Sequence, residues 1–357
     1  MSAGVSAGVS AGVSAGVAPE SAEPDGVARA RGADWRAVVA RYEGADAWKS
    51  LTQLVTTLAL LVATLVVMHR LLALAPWATA LLWVLAAGLM VRTFIIMHDC
   101  AHGSFLPWPR VNDAVGIVTG IVMMTPYVMW RRVHAMHHAT AGDLDRRGHG
   151  DIETLTVREY RAASRWGRLR YRIFRHPAFL LTLGPLHLIL VQRFPSPSVA
   201  GRRRERISVW TTNVAIAGLL ATFVLVAGAR SVLLVYLPSF YLACVVGVWL
   251  VVVQHHFEDT YWQPHETWDY EAASVRGSSH LRLPRLLQWF TGSIGLHHVH
   301  HLAPRIPNYR LQRAHDENAF FREAPVLTLA SGVRAMRLAL WDEEKGKLVK
   351  FSDVGEG

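Results

Sequence analysis

Four apolar blocks of membrane-spanning length, residues 51–68, 71–91, 209–228 and 231–253, constrain this 357-residue chain more than any other feature. Crossing a bilayer takes about twenty mostly apolar residues, and in lipid every backbone N–H and C=O must be satisfied within the segment. The blocks therefore predict four transmembrane helices. Only His69-Arg70 separates the first pair and only Ala229-Arg230 the second, so each pair is expected to turn straight back as a hairpin. An even number of crossings returns both termini to one side. The expected fold class is an all-α integral membrane protein, two helical hairpins carrying a helical cap.

Charge says which side the cap faces. Residues 92–206, between the hairpins, hold eighteen arginines, no lysine and eight acids, a surplus equal to the formal +10 of the whole chain. Positively charged loops stay in the cytoplasm, so cap and termini are expected there. No nucleic-acid-binding motif accompanies the arginines, and they flank membrane segments, where anionic lipid headgroups are their natural partners. Two shorter apolar stretches, residues 114–130 and 178–192, are broken by Pro126 and by Gly184-Pro185. They are expected as interfacial or re-entrant helices, with His187 a packing residue in the second.

Residues 1–32 repeat Val-Ser-Ala-Gly and then turn to Ala, Pro, Glu and Gly, without the basic start and apolar core of a signal peptide. They are expected as a disordered tail before a domain spanning 33–345. From Leu327 the sequence is amphipathic and then charged, which predicts a cytoplasmic helix and a fraying tail over 346–357. Two cysteines, Cys100 and Cys244, make no disulfide framework.

Against this background stand three histidine clusters: His98-Asp-Cys-Ala-His102, His134-Ala-Met-His137-His138 and His297-His298-Val-His300-His301. Each places imidazoles at i and i+3 or i+4, hence on one face of a helix, beside a long apolar segment. One such pair means little; three beside one membrane face predict a metal site. Structural zinc takes four ligands and catalytic zinc about three, so eight or more neutral nitrogens suit two ions. Imidazole accepts iron, copper and zinc alike, and donor type leaves the metal open. Soluble di-iron bundles carry Glu-x-x-His pairs, which this sequence lacks.

These strings, with Trp130-Arg-Arg-Val before the second cluster, Gly142-Asp-Leu-Asp-Arg-Arg147, Thr154-Leu-Thr-Val-Arg-Glu-Tyr160, Gln254-His-His-Phe-Glu-Asp-Thr-Tyr-Trp262, Gly277-Ser-Ser279 and Leu302-Ala-Pro-Arg-Ile-Pro-Asn-Tyr309, resemble the membrane fatty acid desaturases over roughly residues 92–345. The bacterial omega-6 (delta-12) acyl-lipid branch is the most similar. The resemblance implies a non-haem di-iron enzyme whose two iron ions are held by His98, His102, His134, His137, His138, His297, His300 and His301, with His255 of the Gln-His-x-Phe-Glu-Asp string as ninth ligand. His298 falls at a variable position of its box and is left out. Helix neighbours point about 100° apart, so His256 is expected to face headgroups or solvent. Asp99, Glu258 and Asp259 are candidates to hold ligand rings through their second nitrogen. Two departures stand out: Ser293 where the family has Asn, and His280 where it has an aromatic.

The implied reaction is O2-dependent desaturation of a membrane-lipid acyl chain, oleoyl to linoleoyl, the chain entering an apolar tunnel below the metals. No iron-sulfur or flavin segment is fused to the chain, so electrons are expected from a separate donor, a ferredoxin or a b-type cytochrome with its reductase. Hydroxylation or carotenoid and alkane oxidation use similar boxes. A metal transporter, from another class, would need ionisable groups inside the spans, which hold almost none.

Overall fold

A computed structural model describes residues 35–199 and 201–355, so the expected tail over 1–32 lies outside the described residues. Contacts divide the chain into Met1–Val38 and Val39–Gly357, and the second unit holds every element considered below.

Helix α1, Ala47–Leu74, starts on Asp46, whose side chain accepts a hydrogen bond from Lys49 N. It runs through His69-Arg70, where a turn is expected from sequence, and breaks at Ala75 instead. The cause is Pro76, which has no N–H and restricts the residue before it. Helix α2, Pro76–His102, then extends eleven residues past the apolar block, so the first histidine cluster forms its last turns. Gly103, with φ 69°, closes it in a left-handed conformation that suits glycine.

Two sharply bent pairs follow: α3 (Pro109–Val122) and α4 (Tyr127–Thr140) at 101°, then α5 (Arg165–Arg175) and α6 (Pro177–Val191) at 85°. Both occur where the sequence has proline, Pro126 and Pro177. The second hairpin is α7 (Arg203–Ala227) and α8 (Ala229–His255); they meet at Gly228 (φ 79°), and Ala229-Arg230, expected from sequence as the turn, opens α8 instead, which winds as a π-helix over Val232–Tyr236. Among the described residues, four helices are thus long and apolar enough to cross a membrane. The short helices α9 (Tyr270–Arg276), α10 (His297–Leu302) and α11 (Asn308–Glu317) complete the cap.

Helices α2 and α8 form the buried centre, packing Leu89, Met90, Ile95, Phe240, Leu250 and Val253 with Leu61 of α1 and Ile216 of α7. Lipid-facing positions on α1 and α7, such as Val62 and Val214, stay exposed. Between membrane helices the attraction is close packing rather than exclusion of water.

The end of the chain differs from expectation. Leu329–Ala335 is a short helix, but Leu340–Asp342 and Lys347–Val349 form an antiparallel hairpin, and its first strand also pairs in parallel with Leu155–Thr156. Asp342 accepts from the backbone of Glu344 and Lys345 to set the turn, and Leu340, Trp341, Leu348 and Val349 are buried. The stretch that looked like a fraying tail closes the cap.

Candidate metal centre

Helical geometry sorts the histidines. In an α-helix, residue i+4 lies about 40° round from residue i and residue i+3 about 60° the other way. His134 and His138 of α4 join His98, His102 and His300 in one group, while His137, at i+3, joins His255, His297 and His301 in the other. The third cluster repeats the division in reverse: His297 and His301 share a group, and His300, at i+3, crosses to the first. The structure brings all nine candidates together, five in one group and four in the second, with potential donor atoms within 4.8 Å of one another in each.

The Nε2 atoms converge. Within the first group His134 and His138 lie 3.1 Å apart, as do His138 and His300; within the second His137 and His255 lie 3.1 Å apart and His255 and His297 3.0 Å. Two donors each about 2.1 Å from one ion and at a right angle are about 3.0 Å apart, so this spacing fits a coordinated metal. Among the described residues, the buried Nε2 atoms of His102 in the first group and His301 in the second have no hydrogen-bond partner. Burial, then the neighbouring imidazoles, holds His297, His300 and His301 well below their ordinary pKa, and a neutral ring is the ligating form.

Polar groups behind the rings orient them. His98 Nδ1 lies 3.2 Å from Asp99 Oδ1, and Asp99 Oδ2 accepts from Asn308 N and Nδ2, each at 2.8 Å. His255 Nδ1 lies 3.2 Å from the carbonyl oxygen of Gly277, and Ser279 ties that loop to α8 through Gln254 O and Val253 O. Trp130 stacks on His134 at 4.3 Å. One residue missed from sequence is Asp151, whose Oδ1 lies 2.5 Å from His137 Nδ1. Burial pulls its carboxyl upward, but the His137 ring outweighs this and holds it below the usual range. It stands in an irregular loop thirteen residues beyond the second cluster, where no helical spacing could mark it.

Three expectations are corrected. Glu258 and Asp259 are exposed, and Glu258 pairs with Lys347 Nζ at 2.9 Å rather than with a ligand ring. The reason is that α8 ends at His255, and the chain turns away at His256 (φ −112°, ψ 88°). His256 is 1 % exposed instead of facing headgroups. Its Nε2 lies 2.9 Å from Thr154 Oγ1, and burial, followed by Arg175 and His255, keeps the ring well below its ordinary pKa. His298 stands apart from both groups against His315, 3.0 Å away. Met90, Met123, Met124, Leu250 and Ile294 are buried together in one apolar cluster.

The fatty acid desaturase family model matches residues 75–328. A fatty acid desaturase of Bacillus subtilis is 45 % identical over 277 residues, 77 % of this chain and 78 % of that protein. The chain belongs to the fatty acid desaturase family. Other relatives include an sn-1 oleoyl-lipid 12-desaturase of Synechocystis, 26 % identical over 67 % of this chain and 68 % of that protein. An sn-1 acyl-lipid omega-3 desaturase (ferredoxin) of Nostoc is 27 % identical over 65 % of each. The protein is therefore an oxidoreductase of a membrane-bound family, with a histidine cluster able to bind metal.

Proposed function

We propose that the protein introduces a double bond into the acyl chain of a membrane lipid, using two iron ions held by the nine histidines. The observation that carries this is the division of the clusters into two converging Nε2 groups. A bound iron pair would supply what no side chain can, the reduction of dioxygen to an oxidant able to take hydrogen from an unactivated C–H bond. The protein's own work is positional. Asp99, Asp151 and the Gly277 carbonyl oxygen fix three rings, and the neutral third cluster spends no proton on binding metal.

The substrate reading is oleoyl to linoleoyl, supported by the 12-desaturases among the relatives. The more similar Bacillus protein carries no position in its name, so the test must score position. Two electrons per double bond come from a separate donor; a ferredoxin is favoured by the ferredoxin-dependent relatives. The arginine surplus of residues 92–206 supports a cytoplasmic position for the centre and both termini.

The test is expression in a host without polyunsaturated lipids, followed by metal analysis of the purified protein and by positional analysis of the lipids. About two irons per chain and a 9,12-diene support the reading. Hydroxy acids or oxidised carotenoids without a new double bond overturn it, and a double bond placed in a saturated chain corrects the substrate alone.

A further inference from the structure

Helix α5 gathers arginines on one surface. Arg165 and Arg168 line one cleft together with Arg161, Arg172 and Tyr160. Among the described residues no carboxylate pairs with Arg161, Arg165 or Arg168; Arg161 donates to Val354 O and Arg168 to Arg161 O. Like charges gathered on one concave surface repel, and a bound anion relieves that repulsion. Arg172 also lines a second, adjoining cleft, whose other walls are Ile173, His176 and Phe179. The basic surface thus runs directly into an apolar one.

Placement in the fold points to the bilayer. The same helix exposes Trp166 at 80 %, with Leu169 and Ile173 about half exposed. Its successor α6, bent from it by 85°, is apolar and exposes Leu183, Leu186 and Leu190. A basic helix with aromatic and aliphatic residues on its surface, joined to an apolar helix, is the pattern of an interfacial element lying against anionic headgroups. An acidic soluble protein would satisfy the arginines but would leave Ile173, Phe179 and the face of α6 without a partner.

We propose that the α5–α6 corner is a binding site for one anionic phospholipid, its phosphate among Arg161, Arg165 and Arg168 and an acyl chain over Ile173 and Phe179. The site lies apart from the nine histidines, and its test does not require turnover. Binding of fluorescent phosphatidylglycerol and phosphatidylcholine to the purified full-length protein in a neutral detergent provides the measurement. Phosphatidylglycerol should be held selectively. The double variant Arg165→Ala/Arg168→Ala should bind it roughly thirtyfold more weakly, equivalent to about 2 kcal/mol at about 1 kcal/mol per arginine. Arg165→Lys/Arg168→Lys should retain most of the affinity, and unchanged metal content in both variants reports an intact fold. Equal binding of the two lipids by the wild type, or undiminished phosphatidylglycerol binding by the alanine variant, overturns the proposal. If the alanine variant binds lipid normally and loses only reduction by an acidic ferredoxin, the face belongs to a protein partner and the proposal is likewise overturned.

Discussion

Asp99→Asn removes one charge and almost no volume, and the structure says what it should cost. The carboxylate receives three hydrogen bonds: two from Asn308 at 2.8 Å on Oδ2 and one from His98 Nδ1 at 3.2 Å on Oδ1. Asparagine has a single acceptor oxygen. Turned toward Asn308, it sets its NH2 group against the His98 N–H; turned toward His98, it confronts both Asn308 donors with donors of its own. Either way at least one buried donor loses its acceptor, at about 1–3 kcal/mol, and the surviving bonds lose their charge assistance. A ring held less firmly is a poorer ligand, and outer hydrogen-bond partners of metal-bound histidines are typically worth about 10–100-fold in affinity. The expected result is a 10–100-fold easier loss of metal from one of two sites, measured by chelator competition on protein purified at normal yield. Because Asn308 opens α11, the melting temperature should fall as well. Full metal retention with unaltered stability would refute the argument that Asp99 orients His98.

Asp151→Asn should weaken metal retention by a similar factor while leaving the α2–α11 link intact, so chelator resistance falls with a smaller change in melting temperature. His255→Ala should lower metal content and abolish desaturation, whereas His256→Ala should keep its metal; since His256 is buried against Thr154, it should instead lose about 2–4 kcal/mol of stability, seen as a lower melting temperature. Ser293 has φ 58°, a left-handed conformation that asparagine tolerates better than serine, so Ser293→Asn should raise stability by about 0.5–1 kcal/mol; an unchanged or lower melting temperature would argue against strain at that turn. In metal-free protein His297, His300 and His301 are neutral when folded and take up protons at about pH 6.5 when unfolded. The unfolded state then binds more protons, so this contribution is intact above about pH 6.5 and lost as pH falls, by up to about 1.4 kcal/mol per histidine per pH unit. Equal melting temperatures at pH 7.5 and 5.5 would contradict it.

The spans and the clusters were legible because both are periodic and local: a run of twenty apolar residues, and imidazoles at i, i+3 and i+4. His69-Arg70 and Ala229-Arg230 read as polar turns, whereas a helix ends where its backbone bonding or conformation fails, here at Pro76 and at Gly228. Ser293 was visible only as a departure from a family pattern, and the φ of 58° supplies its physical meaning. Asp151 and the buried position of His256 depend on where loops fold back, which no spacing encodes. The C-terminal hairpin leaves a trace in the sequence, since Leu340-Trp341 and Leu348-Val349 flank Asp342-Glu-Glu-Lys-Gly346, a turn sequence.

The donor set suits its surroundings. Nine carboxylates at this depth would each need a buried counter-charge, whereas neutral imidazoles can be packed against one another at ring separations of 4.1–5.0 Å for neighbours such as His138 and His301 or His137 and His301. The positive charge of two bound ions would still need an answer, and the structure supplies it one bond further out. Asp99 stands behind His98 of the first group and Asp151 behind His137 of the second, both removed from the space where the Nε2 atoms converge. A carboxylate in that position holds its ring in the tautomer that presents Nε2 and makes the nitrogen more basic without occupying a coordination position. One such acid per group is what two separately addressed ions would call for. If both were neutralised together, as in Asp99→Asn/Asp151→Asn, the losses should fall on different ions and the metal content should drop at both sites; loss confined to one ion would mean that the two acids serve a single site.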